Sequence, residues 1–127
     1  MEKNLTIKLL EKTYAVCSLS KDEDISKLIM EGDFLSITKT EDELSLVCEE
    51  ENISNGIKYE GDWKILKIEG PLDYSLIGII AKISNIMSEN NISIFVTSTY
   101  DTDYILIKKK NIHKAIEALK NKNYNII

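Results

Sequence analysis

Residues 69–108 read EGPLDYSLIGIIAKISNIMSENNISIFVTSTYDTDYILIK, and the order of elements within them decides the fold. A strand runs into Gly70-Pro71, and a short polar turn, Leu72-Asp73-Tyr74-Ser75, follows. Next comes an isoleucine-rich helix in which Leu76, Ile80, Ile83 and Met87 form one continuous stripe. Ile77, Ile79 and Ile86 widen that stripe beyond a single face. A helix this apolar needs cover on more than one side: a sheet on one, a second domain or subunit on the other. Asn90-Asn91 stops it. Ile92, Ile94 and Val96 then alternate with Ser93, Phe95 and Thr97, Tyr100-Asp101-Thr102 turns the chain, and Asp103 to Ile107 returns.

Working outward, Asn111 is placed to cap a last helix carrying Ile112, Ala115, Ile116 and Leu119 on a narrow stripe, and Tyr124 to Ile127 makes a short final strand. Upstream, Lys58-Tyr59 and Trp63 to Ile68 have strand character on either side of a Gly61-Asp62 break. Residues 61–127 thus spell βαββαβ, an antiparallel four-stranded sheet with both helices on one face. Phe95 points away from Ile94 and Val96, so the opposite face, or an edge, is expected to be partly buried.

The N-terminal half spells a shorter version. Leu5, Ile7 and Leu9 alternate in one strand, and Ala15, Cys17 and Leu19 in a second. Asp24 caps a short helix with Ile25, Leu28 and Ile29 on one side. Phe34 to Lys39 and Leu44 to Glu49 flank the turn Thr40-Glu41-Asp42-Glu43. The pattern apolar-x-apolar-Thr-x-Thr-x-Asp occurs twice, as LSITKTED at 35–42 and IFVTSTYD at 94–101. Each copy sits at a hairpin that follows a helix, which reads as an internal repeat. In the first copy the loop EEENISN, residues 49–55, stands where a second helix belongs. The expected division is a truncated N-terminal unit, 1–60, and a complete C-terminal one, 61–127.

Composition narrows the function. The net charge is −5 and all sixteen basic residues are lysine. Without arginine, the bidentate reader of phosphate and guanine, and with a pI near 4.9, nucleic-acid binding is not expected. No apolar run approaches the ~18 residues of a membrane span, and MEKNLTIKLLEK makes a poor signal peptide, so a cytoplasmic protein is expected. Cys17 and Cys48 lie in alternating strand patterns with no CxxC and read as buried free thiols. The single histidine, His113, supports neither a zinc site nor a triad. The acidic runs Glu41-Asp42-Glu43 and Glu49-Glu50-Glu51 lack the alternating oxygens and mid-loop glycine of a calcium loop and read as solvated turns. No metal, cofactor or catalytic constellation is expected.

Ser36 to Cys48 (SITKTEDELSLVC), Gly61 to Ser75 (GDWKILKIEGPLDYS), Gly78 and Ala81 in GIIA, and Ile92 to Ile107 (ISIFVTSTYDTDYILI) together resemble the ACT-domain family. The chain is similar to short stand-alone tandem-ACT proteins, to the regulatory ACT pairs of aspartokinase and to CASTOR-type arginine sensors. The resemblance implies an α+β fold of two ferredoxin-like units. It also implies a non-catalytic regulatory role with a small molecule, most often an amino acid, held at an interface between ACT units. Transferred to this sequence, the ligand turn is Asp73 to Gly78 and the facing strand end is Ser98, Thr99 and Asp103. Leu76 and Ile77 stand where arginine sensors carry an acidic residue, which favours a neutral or apolar amino acid.

The residues give that site a physical basis. A free amino acid needs N–H donors for its carboxylate and oxygens for its ammonium. A helix beginning at Leu76 offers unsatisfied N–H groups at the positive end of its dipole. Ser75 or Asp73 can take one as N-cap, and Gly78 lets a ligand approach the backbone. Asp103, Ser98 and Thr99 supply oxygens, while Leu76 and Ile77 line an apolar pocket. A homodimer is expected, with output through a protein partner. The alternatives are an interaction module without a working pocket and an acylphosphatase-like hydrolase, for which the arginine cradle is missing.

Overall fold

The computed structural model describes residues 5–24, 32–69 and 78–127. The short helix expected to follow Asp24 lies outside the described residues. Among the described residues, eight strands and two α-helices follow in the order β1 (Thr6–Leu9), β2 (Tyr14–Leu19), β3 (Leu35–Lys39), β4 (Leu44–Glu49), β5 (Lys58–Ile68), α1 (Ile79–Glu89), β6 (Phe95–Ser98), β7 (Asp103–Lys108), α2 (Ile112–Asn121) and β8 (Asn125–Ile126). The chain forms two compact units, one of residues 1–11 with 64–127 and one of 12–63.

In the larger unit the strand order is β6-β7-β5-β1-β8. The repeat-based reading gives this unit four strands, yet it has five. The N-terminal strand β1, expected in the first unit, pairs antiparallel with the end of β5, Ile7 opposite Ile68 and Leu9 opposite Leu66, and parallel with β8. It thus separates the first and last strands of the βαββαβ unit. The reason lies in its pattern: Ile7 is fully buried, in one cluster with Leu66, Ile68, Ile105 and Ile107 from the sheet and Ile83, Met87, Ala115 and Leu119 from the helices. Burying an isoleucine of this kind contributes about 1.5–3 kcal/mol. Ile65 and Leu106 are fully buried but lie outside this cluster. Phe95, opposite Leu106, is two-thirds covered, so both faces of the sheet carry buried residues as expected.

Both helices end alike. Asn91 has φ 57° and Asn123 φ 72°. The N–H of Ile92 donates to Met87 O at 2.9 Å, and that of Tyr124 to Leu119 O at 3.1 Å. An asparagine in the left-handed region followed by an apolar residue satisfies the last carbonyls of each helix. Asn111 occupies the N-cap of α2, after a 3-10 turn at Lys109–Asn111, but its side chain makes no capping bond.

In the smaller unit the order is β3-β4-β2-β5. Ala15, Cys17, Leu46 and Cys48 form its core, with Leu19, Ile53 and Ile57 against them. Both cysteines are free and buried. The Gly61-Asp62 break is a bulge within one strand: β2 advances from Tyr14 to Val16 while β5 moves from Trp63 to Glu60. The extra residue leaves Asp62 at φ 62°, and its N–H donates to Glu50 Oε1 at 2.8 Å.

One acidic residue departs from the solvated reading. Glu49, expected in an exposed loop, is 2% exposed at the end of β4. Its Oε2 accepts the N–H of Asp33 at 3.0 Å, and Oε1 accepts from Asn52 Nδ2 at 3.2 Å. A buried carboxylate requires such partners. Glu41, Asp42 and Glu43 are exposed, as expected.

Candidate functional site

Asp73, Ser75, Leu76 and Ile77 lie outside the described residues. Gly78 is described. The described helix starts at Ile79, and Gly78 is its N-cap at φ 86°. The backbone enters α1 through the left-handed region, which glycine adopts without cost. Among the described residues, no atom lies within 4 Å of the place where a Cβ would stand. The Gly78 carbonyl accepts the N–H of Lys82 at 3.0 Å, closing the first turn. The earlier N–H groups of α1, at Ile79, Ile80 and Ala81, have no carbonyl partner within the helix.

Ser98 and Asp103 are the last pair of the β6–β7 ladder. Ser98 Oγ donates to Asp103 Oδ1, so these two predicted residues meet. Thr99 acts differently: its N–H donates to Thr102 O at 2.8 Å and its Oγ1 accepts the N–H of Thr102 at 3.2 Å. Thr99 therefore closes the turn, its hydroxyl engaged in the hairpin itself. The side chains at 98 and 103 lie on the sheet face of Ile94 and Ile105, the face packed on the helices. In a split βαβ unit β5 and β6 run the same way. The start of α1 and the end of β6 then fall at one end of the sheet.

The threonine bonds of the internal repeat recur in both units. In the smaller unit the Thr40 N–H donates to Glu43 O at 2.9 Å, and the Glu43 N–H returns to Thr40 Oγ1 at 3.1 Å. Those are the bonds of Thr99 with Thr102. Beside the Thr40 turn lies a feature absent from the sequence reading, a cleft of about 520 Å³ lined by Lys21, Asp22, Lys39, Thr40, Glu41 and Asp42. The repeat was the signal available for it, since it aligns Lys39 and Thr40 with Ser98 and Thr99. Among the described residues no group of histidine, cysteine and carboxylate side chains is arranged to hold a metal ion.

Comparison with known proteins places the fold. A family model described as an ACT domain matches residues 58–121, and a second, describing an N-terminal domain, matches 12–56. A crystal structure of a protein from Agrobacterium tumefaciens is 32% identical, with a TM-score of 0.91 over 99% of this chain and 94% of that one. Two more distant structures share the fold. The aspartate kinase of Clostridium acetobutylicum, described as an allosteric enzyme, is 16% identical with a TM-score of 0.66, over 89% of this chain and 33% of that one. The ligand-free regulatory subunit of aspartate kinase from Thermus thermophilus is 11% identical with a TM-score of 0.64, over 94% and 98%.

Proposed function

The chain belongs to the ACT-domain family, and from that premise we propose that it is a non-catalytic regulatory protein that binds a free amino acid at one end of its larger unit. The observation that carries this reading is the opening of α1: a glycine N-cap with no side chain of its own to occupy the donors that follow it. Those N–H groups, at the positive end of a helix dipole, suit a carboxylate. The Ser98–Asp103 pair at the same end supplies oxygens for an ammonium. Leu76 and Ile77 favour a neutral or apolar side chain on the ligand. The truncated N-terminal unit, homodimeric assembly, a protein partner and a cytoplasmic location complete the proposal. The likeness to an allosteric aspartate kinase and to a kinase regulatory subunit supports a role in which binding shifts contacts between units. Among the described residues, no helix is long and apolar enough to cross a membrane.

A second reading, an interaction module without a ligand, draws on Thr99, whose hydroxyl is engaged by its own turn. Thermal-shift measurement with each proteinogenic amino acid separates the two. A ligand at a hundredfold its Kd adds about 2.7 kcal/mol to stability, which raises Tm by several degrees in a chain of this size. At least one amino acid raises Tm, and Asp103→Ala removes most of the rise. No rise with any amino acid, or one untouched by Asp103→Ala, defeats the assignment.

A further inference from the structure

We propose that Asn55-Gly56 is a site of spontaneous covalent modification, at which the asparagine side chain cyclises onto the glycine amide and then opens to aspartate and isoaspartate. Asn55 is the chain's sole asparagine followed by glycine. The others precede isoleucine, leucine, asparagine, lysine or tyrosine, whose side chains shield the next peptide nitrogen. Both residues are exposed, in the turn between the 3-10 turn Glu50–Asn52 and β5. Gly56 has φ 86°, and among the described residues no atom lies within 4 Å of the place where its Cβ would stand. Among the described residues neither the Asn55 side chain nor the Gly56 N–H makes a hydrogen bond. Asn52, in contrast, is held: its Nδ2 donates to the buried Glu49 at 3.2 Å. Asn90 and Asn125 also donate from Nδ2, to Ile86 O at 2.8 Å and to Thr6 Oγ1 at 3.3 Å.

The reaction needs no partner but water. The Gly56 nitrogen gives up its proton to hydroxide and bonds to Asn55 Cγ; the Cγ–Nδ2 bond breaks, and ammonia leaves with a proton taken from water. A cyclic succinimide results. Water then adds to one of its two carbonyl carbons. Opening the bond between the ring nitrogen and Cγ restores the ordinary backbone, now with an aspartate side chain. Opening the bond to the α-carbonyl carbon leaves the backbone running through Cβ and Cγ, an isoaspartate longer by one methylene. Nothing is oxidised or reduced: an amide and water become a carboxylate and an ammonium ion. Glycine favours the closure twice, since no Cβ obstructs Cγ and its wide backbone range lets the turn reach the ring geometry. The turn is exposed and holds neither reacting group, so closure disturbs little native structure. Ile53 and Ile57 pack against the core of the smaller unit on either side, and Ser54, Asn55 and Gly56 between them take up the extra methylene. Each event adds a negative charge to a chain of net charge −5.

Peptide mapping by mass spectrometry tests this on the full chain aged in neutral and in mildly alkaline buffer, with a synthetic peptide of residues 53–60 aged beside it. The fragment spanning Asn55 gains the mass of a carboxyl in place of an amide and separates into aspartyl and isoaspartyl forms. Conversion is faster in the alkaline buffer, because the attacking nitrogen must lose its proton. The folded chain converts within about tenfold of the free peptide's rate, as a turn with almost no opening cost should. Asn55→Gln, which would have to close a larger and slower ring, stays unconverted at this position. The proposal is overturned by a folded chain slower than the peptide by more than that factor, by the absence of an isoaspartyl form, or by conversion of Asn52, Asn90 or Asn125 as fast as Asn55.

Discussion

Glu49 shows what one residue contributes. Its carboxylate is buried and holds the Asp33 amide and the Asn52 side chain. It also fills the space beside Gly32, where a Cβ would collide with it, and Gly32 has φ 121°. Glu49→Ala removes the acceptor of two partly buried hydrogen bonds, and urea unfolding shows a loss of about 1 kcal/mol; Glu49→Gln, which keeps an acceptor, loses less. Sequence could not reveal this, because in EEENISN the three glutamates look alike and only the ladder partner Tyr14 distinguishes the first. The cysteines are the opposite case, read correctly from strand alternation. Burial pushes the Cys48 thiol up to about 12, and burial raises Cys17 as well. A thiol whose pKa is higher folded than unfolded contributes stability that is intact below the unfolded value near 9 and lost as pH rises toward 12. The urea midpoint should therefore fall more steeply above pH 9 in the wild-type chain than in Cys17→Ala/Cys48→Ala. Equal slopes in the two proteins contradict this.

At the scale of elements, helix ends were more legible than helix starts. Asn90-Asn91 announces its stop, and the structure places Asn91 in the left-handed region. Glycine adopts that conformation at lower cost, so Asn91→Gly and Asn123→Gly hold or raise stability, whereas Asn91→Val lowers it by about 1–2 kcal/mol in urea unfolding. The described part of α1 begins at Ile79, and apolar periodicity cannot report the left-handed backbone of its N-cap, Gly78. The bulge at Asp62 was visible only as an interruption, since Gly61-Asp62 reads equally as a loop. The turns at Thr40 and Thr99 were fully legible, because a threonine that bonds the amide three residues on leaves the same signature in both copies.

For the whole molecule, the C-terminal order of elements was readable from 69–108, and the role of β1 was not. Four residues of alternating pattern show that a strand exists but not which partner it pairs with, and here the partners are β5 and β8. A fragment of residues 61–127 lacks β1 and leaves the Leu66 and Ile68 edge unpaired. It should lose the cooperative thermal transition by circular dichroism that the intact chain shows; a fragment melting like the intact chain would mean that β1 is dispensable. Of the residues proposed for the site, strand alternation and the turn place Ser98 and Asp103 together, and Thr99 serves the turn. The central claim is that this ACT protein holds a free amino acid, and native mass spectrometry of the chain incubated with a mixture of the proteinogenic amino acids reads it most directly. The account predicts chains carrying the added mass of one neutral or apolar amino acid, lost in Asp103→Ala; a spectrum of unliganded chains alone would contradict it.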